Sequence, residues 1–126
     1  MRIIKVVAAI LQNKDRVLIA RKRKGKPLEG YYEFPGGKIE EGETPEESLI
    51  RELIEEMNIK IEIKKYIGES IYDYGDGKLI KLYGYTAKII SGEIILTDHD
   101  KYMWVTLDEI NNYKIAPADI PFIKKL

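Results

Sequence analysis

Apolar positions follow two different periods along this chain. Residues 2–11 are dense in Val, Ile and Ala, break at Asn13-Lys14-Asp15, and resume over residues 16–20, the pattern of a β-hairpin. Lys22 to Gly30 reads as a basic loop, Tyr31 to Phe34 as a short aromatic strand, and Pro35-Gly36-Gly37 as a sharp backbone turn. The period then changes. At about 100° per residue, Leu49, Ile50, Leu53, Ile54 and Met57 share one broad arc of a helix. Thr44 is placed to cap it, Pro45 suits the first helical position, and Glu47 completes a capping box. Asn58 suits a left-handed C-terminal residue, so the helix is predicted over 45–57. Strands follow near 60–69, 78–90, 93–97 and 102–105, with Tyr74-Gly75-Asp76-Gly77 as a turn. Thr106-Leu107-Asp108-Glu109 repeats the capping-box pattern before a brief helix, and a last helix is predicted over 118–125. This order predicts an α+β fold, a mixed β-sheet sandwiched between helices, and not a doubly wound arrangement.

Composition narrows the chemistry. The 126 residues are read as a single domain, 1–126, and 44% apolar content fills a real core. Lys+Arg and Asp+Glu both total 21, which argues against a nucleic-acid polymer as partner. The absence of cysteine excludes disulfides, thiolate metal sites and a Cys nucleophile, and a single histidine, His99, makes a Ser-His-Asp triad improbable. A hydrolytic site here has to be built from carboxylates. The opening apolar run is interrupted by Lys5, lacks a cleavage site and is too short to span a bilayer. The expectation is a cytoplasmic protein with no membrane partner, either monomer or homodimer.

The informative stretch is Gly37 to Ile59. Glu52, Glu55 and Glu56 lie at i, i+3 and i+4, within one helical arc beside the apolar one. Three such groups repel one another without a cation, and an oxygen-rich patch of this kind suits Mg²⁺ completed by substrate phosphates. On the helix alone, a solvated acidic face explains the cluster as well. The wider register decides between them: Glu43 lies six residues after Gly37, Arg51-Glu52 eight further on, and Leu53, Glu55-Glu56 and Ile59 follow in fixed spacing. This resembles the Nudix box, G-x5-E-x7-R-E-U-x-E-E-x-G-U with U aliphatic. One position departs: Asn58 stands where the family has Gly.

The resemblance implies a Nudix fold and Mg²⁺-dependent (or Mn²⁺-dependent) cleavage of a nucleoside diphosphate linked to another group. By the same resemblance, Glu52, Glu55 and Glu56 match the metal-binding carboxylates, and Gly36 a residue whose carbonyl also reaches the metal. Glu43 and Arg51 match an ion pair that orients the catalytic helix. Glu52 is the first choice for assisting deprotonation of the attacking water.

Outside the box, Tyr32-Glu33-Phe34-Pro35-Gly36-Gly37-Lys38-Ile39-Glu40 is similar to the approach in MutT-type nucleoside triphosphate pyrophosphohydrolases. Ala116-Pro117-Ala118-Asp119-Ile120-Pro121 is similar to the CTP pyrophosphohydrolase branch of that group. The resemblance puts Asp119 in a nucleobase pocket, where it could accept from the amine of cytosine or from the N–H groups of guanine; the alternative is a helix cap. Asp98 matches a further metal- or water-reaching carboxylate, with a turn aspartate as its equal rival. Arg23 is expected on substrate phosphates, Lys24 and Lys26 in solvent, and Phe34 against the base. His99 reads as a surface loop residue and Trp104 as core behind the box helix. Tyr31, Tyr32, Tyr72, Tyr74, Tyr83 and Tyr85 read as cross-strand packing.

The expected activity is hydrolysis of a (deoxy)nucleoside triphosphate, cytidine-type or oxidised guanine, to the monophosphate and pyrophosphate, with a small-molecule nucleotide as the partner. Two alternatives stand beside it: a hydrolase of ADP-ribose or another nucleotide-sugar, and a non-catalytic nucleotide-binding module.

Overall fold

The computed structural model describes residues 2–126. Among them, β1 (Arg2–Asn13) and β2 (Arg16–Lys22) form the first hairpin, with Lys14 in the left-handed region at the turn. Next come β3 (Tyr32–Glu33), β4 (Gly36–Lys38), helix α1 (Pro45–Met57), β5 (Ile59–Gly75), β6 (Lys78–Gly92) and β7 (His99–Thr106). A 3₁₀ turn over Glu109–Asn112 and a short helix α2 (Ile120–Ile123) close the chain.

The sheet is mixed, in the order β3-β2-β1-β6-β5, with β4 added to β1 and β7 to β2. Strand β1 is its axis. Residues 2–11 pair in parallel with residues 78–87 of β6, and Val6–Ala8 also pair antiparallel with β4. With neighbours on both sides β1 is buried through its middle, and Val7, Ala9 and Leu11 face one core while Ala8 and Ile10 face the other. The first core packs under α1 through Leu49, Leu53 and Met57; the second packs under Ile110, Ala118 and Phe122. A mixed sheet between helices is the fold expected from the sequence.

Several boundaries move, each for a physical reason. Pro35-Gly36-Gly37 is not a free turn. Gly36 and Gly37 lie extended against Ala8 and Val7, and a side chain at Gly36 would overlap the Val7 carbonyl. Residues 93–97 form no strand. Their N–H groups run along the end of α1, Ile95 donating to the Met57 carbonyl at 3.1 Å and Thr97 to that of Glu56 at 3.1 Å. They satisfy carbonyls that the helix leaves unpaired. Strands β5 and β6 run longer than expected, up to a two-residue turn at Asp76-Gly77, both with positive φ, the signature of a type I′ hairpin. Four register shifts along this pair bend it around the sheet. The final helix spans only Ile120–Ile123. Ile50 and Ile54 are exposed, because α1 rests on the sheet through the narrower stripe of Ser48, Leu49, Leu53 and Met57.

Candidate functional site

Helix α1 is fixed at both ends. Thr44 Oγ1 accepts from Glu47 N at 3.1 Å, and Glu47 Oε1 accepts from Thr44 N at 2.9 Å, completing the capping box. At the other end Asn58 adopts φ 59°, ψ 32°, and its backbone N–H returns to Ile54 and Leu53. Asn is the non-glycine residue best suited to this conformation, which is why the departure from Gly is tolerated.

Between the caps, Arg51 organises the acidic residues. Its Nε donates to Glu43 Oε2 at 2.8 Å and its Nη2 to Glu43 Oε1 at 3.0 Å, a two-pronged pair. Ser48 Oγ adds a bond to Glu43 at 2.6 Å, and Arg51 Nη2 also reaches the Lys38 carbonyl at 3.3 Å. These bonds tie the loop, β4 and α1 together. They also hold the Glu43 carboxyl at about 2, below its usual 4.5, chiefly through the Arg51 guanidinium and then Ser48. Arg51 Nη1 donates to Glu52 Oε1 at 2.9 Å and to Glu55 Oε2 at 3.0 Å.

A cavity of about 830 Å³ opens beside this helix. Its wall includes Glu52, Glu56 and Asp98 with Gly36 and Gly37, and also Glu33, Phe34, Tyr74 and Asp119. Lys22, Lys26, Lys38 and Lys78 bring positive charge to its wall, and Val6, Ile80 and Leu82 supply apolar surface. The cavity therefore offers carboxylates, ammonium groups and an apolar patch to a single ligand.

The three box carboxylates do not behave alike. Glu56 is largely buried, its Oε2 lacks any hydrogen-bond partner, and its carboxyl is pushed up to about 9 by burial, then by the neighbouring Glu52. Glu52 lies against Gly37 so closely that a Cβ there would overlap its carboxylate. Glu55 is turned outward, its side chain 59% exposed and paired to Arg51, and it is not part of the cavity wall. Among the described residues, no three acidic or histidine side chains converge as they stand into a metal-holding cluster, since Arg51 draws Glu52 and Glu55 toward itself. The donor chemistry nevertheless fits a hard divalent cation. The buried, unpartnered Glu56 oxygen beside a second carboxylate is what such a cation would neutralise, and the available donors are all oxygen. Glu52 and Glu56, with the Gly36 carbonyl, could hold it; Glu55 and Asp98 would have to leave Arg51 and Lys26 to join them.

The remaining expected residues fall as follows. Asp119 is 4% exposed and lines the cavity. Its side chain does not cap α2; Oδ2 instead accepts from Phe34 N at 2.8 Å. Burial raises its carboxyl well above the usual carboxylate range, with Glu33 adding to the effect. Phe34, expected to stack on a base, is 2% exposed with its ring in the second core. That ring has almost no free face, and its backbone N–H is the group that serves the site. Asp98 lines the cavity but is paired to Lys26 Nζ at 2.9 Å. Arg23, expected on phosphates, is exposed and outside the cavity wall, whereas Lys22 and the supposedly solvated Lys26 are part of it. The loop turns at Gly25, with φ 91°, after directing Arg23 to solvent. His99 is not a surface residue. It is 4% exposed and its Nε2 meets Glu33 Oε2 at 2.8 Å. Trp104 does pack behind α1. Tyr74 lines the cavity and its hydroxyl accepts from Ala118 N at 3.0 Å, while Tyr85 pairs with Glu46 of α1 at 3.0 Å. The contributions of Lys22, Glu33 and His99 depend on which strands pair, and single-strand alternation carried no sign of them.

Known proteins are similar to this chain over almost its whole length. The CTP pyrophosphohydrolase of Escherichia coli is 32% identical over 124 residues, covering 98% of this chain and 91% of its own. The 8-oxo-dGTP diphosphatase of the same organism is 31% identical over 127 residues, covering 100% and 98%. The crystal structure of a MutT NUDIX hydrolase from Burkholderia pseudomallei superposes with a TM-score of 0.90 at 23% identity, over 100% of this chain and 99% of that one, a likeness of fold. No helix among the described residues is long and apolar enough to cross a membrane. A NUDIX domain model matches residues 1–126, and with Arg51, Glu52 and Glu56 gathered on one capped helix and Glu43 paired to Arg51 from the loop before it, this chain belongs to the Nudix family.

Proposed function

We propose that this protein hydrolyses a (deoxy)nucleoside triphosphate, cytidine-type or oxidised guanine, to the monophosphate and pyrophosphate, with Mg²⁺ (or Mn²⁺) as cofactor. The observation that carries the reading is the placement of Glu52, Glu56 and Asp119 on the wall of one cavity large enough for a nucleotide. Relatives named for CTP and for 8-oxo-dGTP support the substrate class. The role is sanitation of a cytoplasmic nucleotide pool.

Glu52, Glu56 and the Gly36 carbonyl would hold the cation, with Glu55 and Asp98 as further donors on leaving Arg51 and Lys26. Such a cation would supply charge neutralisation at the phosphates and a lowered pKa for the attacking water. Glu52 takes the proton from that water through a carboxylate oxygen, and Glu43 holds Arg51 so that Glu52 keeps its direction. Lys22 and Lys26 pair with phosphate oxygens as mobile point charges. Asp119, anchored through Oδ2 by the Phe34 amide, offers Oδ1 to an N–H of the base, a contact that favours the ionised carboxylate against the burial that raises it.

The test is pyrophosphate release from CTP, dCTP, 5-methyl-dCTP, dGTP, 8-oxo-dGTP and ADP-ribose with Mg²⁺, using Glu52→Gln as the blank. Turnover of cytosine or oxidised-guanine triphosphates, abolished in the blank, is the expected result. Turnover confined to ADP-ribose, or none above the blank, overturns the reading.

A further inference from the structure

His99 is an expensive residue to keep where it stands. Its side chain is 1% exposed, and Nδ1 is buried with no hydrogen-bond partner. An apolar residue would avoid that cost, so the retained imidazole needs a purpose. The contact it does make is specific: Nε2 lies 2.8 Å from Glu33 Oε2. A carboxylate oxygen can only accept, so Nε2 is the nitrogen that donates, and Nδ1, which has no partner, is left without a bond.

The sheet explains how the two residues meet. Strand β2 lies between β3 and β7, with Glu33 opposite Ala20 and His99 opposite Lys22. A register shift between Arg21 and Lys22 skips Asp100 and brings His99 to the Glu33 side. Lys22 Nζ stands 3.7 Å from the same Glu33 oxygen. Glu33 itself lines the cavity, and its neighbour Phe34 holds Asp119 through the backbone. One dipeptide thus brings two carboxyl groups, Glu33 and the Asp119 held by the Phe34 amide, to the wall of the same cavity, near enough for each to feel the other's charge.

We propose that His99 is a positioning residue that aims the Glu33 carboxylate into the cavity as a second hydrogen-bond acceptor beside Asp119, selecting nucleobases that carry an exocyclic amine. The inference deepens the nucleotide reading and rests on it. Two acceptors match the two hydrogens of an amine, or an amine beside a ring N–H, and they reject a base that presents a carbonyl in the same place. Cytosine and guanine share the required amine; uracil and hypoxanthine lack it.

The experiment measures equilibrium binding of CMP against UMP and of GMP against IMP, which needs no turnover. The wild-type protein is expected to prefer the amine-bearing member of one pair by about tenfold or more, and the pair that shows it identifies the base. Glu33→Gln, which replaces an acceptor oxygen by a donor, and His99→Phe are each expected to cut that preference to about threefold or less. The double variant adds little, since both act through one contact. His99→Gln, which keeps an N–H donor, retains most of the preference. Equal weakening of both members of a pair marks a merely structural role and overturns the inference, as does a preference unchanged in Glu33→Gln. Should His99→Phe fail to fold, Glu33→Gln alone decides. If the binding preference follows this pattern while no triphosphate is turned over, the hydrolase reading falls and the amine subsite stands.

Discussion

Gly37 and Glu52 approach so closely that a methyl group on the first would overlap the carboxylate of the second. The atom in the way is the end of a flexible side chain, so Gly37→Ala is expected to displace Glu52 and leave the sheet intact. At Gly36 the obstacle is the backbone of Val7, which cannot swing aside. Turnover of Gly37→Ala should fall by roughly a hundredfold with little change in unfolding midpoint. Gly36→Ala should lose roughly 2–3 kcal/mol of stability, as overpacking does elsewhere. Urea titration beside a rate assay separates the two.

The Glu43–Arg51 pair gives a pH dependence with a defined sign. Glu43 is held at about 2, below its ordinary 4.5, so its contribution to stability is fully present above about 4.5 and is lost as pH falls toward 2. Glu43→Gln should therefore be less stable than wild type at pH 7, and the gap should close between pH 4.5 and 2. Activity at pH 7 should drop by about 10–100-fold, the usual effect of removing a group that orients a metal ligand.

Glu56 behaves in the opposite sense. Its carboxyl is raised to about 9, so without a divalent cation the folded state holds a proton that the unfolded chain has released. Stability of the metal-free protein should then fall as pH rises from about 4.5 through 9. Glu56→Gln is expected to melt above wild type at pH 8 in EDTA and close to it near pH 5. Adding Mg²⁺ should raise the wild-type midpoint at pH 8 and leave that of Glu56→Gln nearly unmoved. Calorimetry should also find protons released when the wild type takes up the cation.

Asn58 combines a left-handed backbone with a bond from Nδ2 to the Glu93 carbonyl at 3.0 Å. Asn58→Gly relieves the backbone and loses that exposed bond, so stability should stay within about 0.5 kcal/mol. Asn58→Ala keeps neither advantage and should cost about 1 kcal/mol. A large loss in Asn58→Gly would show that the Glu93 contact, and not the conformation, holds the helix end.

The helix and its chemistry were legible because they are written locally. Thr44, Pro45 and Glu47 state where α1 begins, and the spacing from Gly37 to Ile59 states what it carries. Local reasoning failed where a residue's meaning depends on a distant partner. Gly36-Gly37 looks like a turn until β1 lies beside it. Asp119 reads as a base contact or as a cap, and only the Phe34 amide, which takes Oδ2, removes the second alternative. His99 looks like a loop residue until β7 pairs with β2 next to Glu33. Arg23 and Lys26 lie on either side of a turn at Gly25, and only Lys26 reaches the cavity wall. The apolar arc of α1 was drawn too wide, because periodicity gives the direction of the core and not how far the sheet reaches around the helix.

The parallel ladder between β1 and β6 also bears on how the molecule is made. The box helix lies in the loop that this ladder closes, so its cavity has no second wall until residues 78–87 have found residues 2–11. Bringing such distant segments together costs loop-closure entropy before any contact repays it, and chains dominated by long-range pairing fold slowly. On a ribosome the first strand, apolar and paired only with the short stretches that β2 and β4 offer, must wait for its parallel partner while the helix and the β5–β6 hairpin are still being synthesised. Competence to bind a nucleotide is therefore one of the last properties this chain acquires, and a nascent chain stalled before β6 would carry the complete Nudix box and no cavity for it to serve.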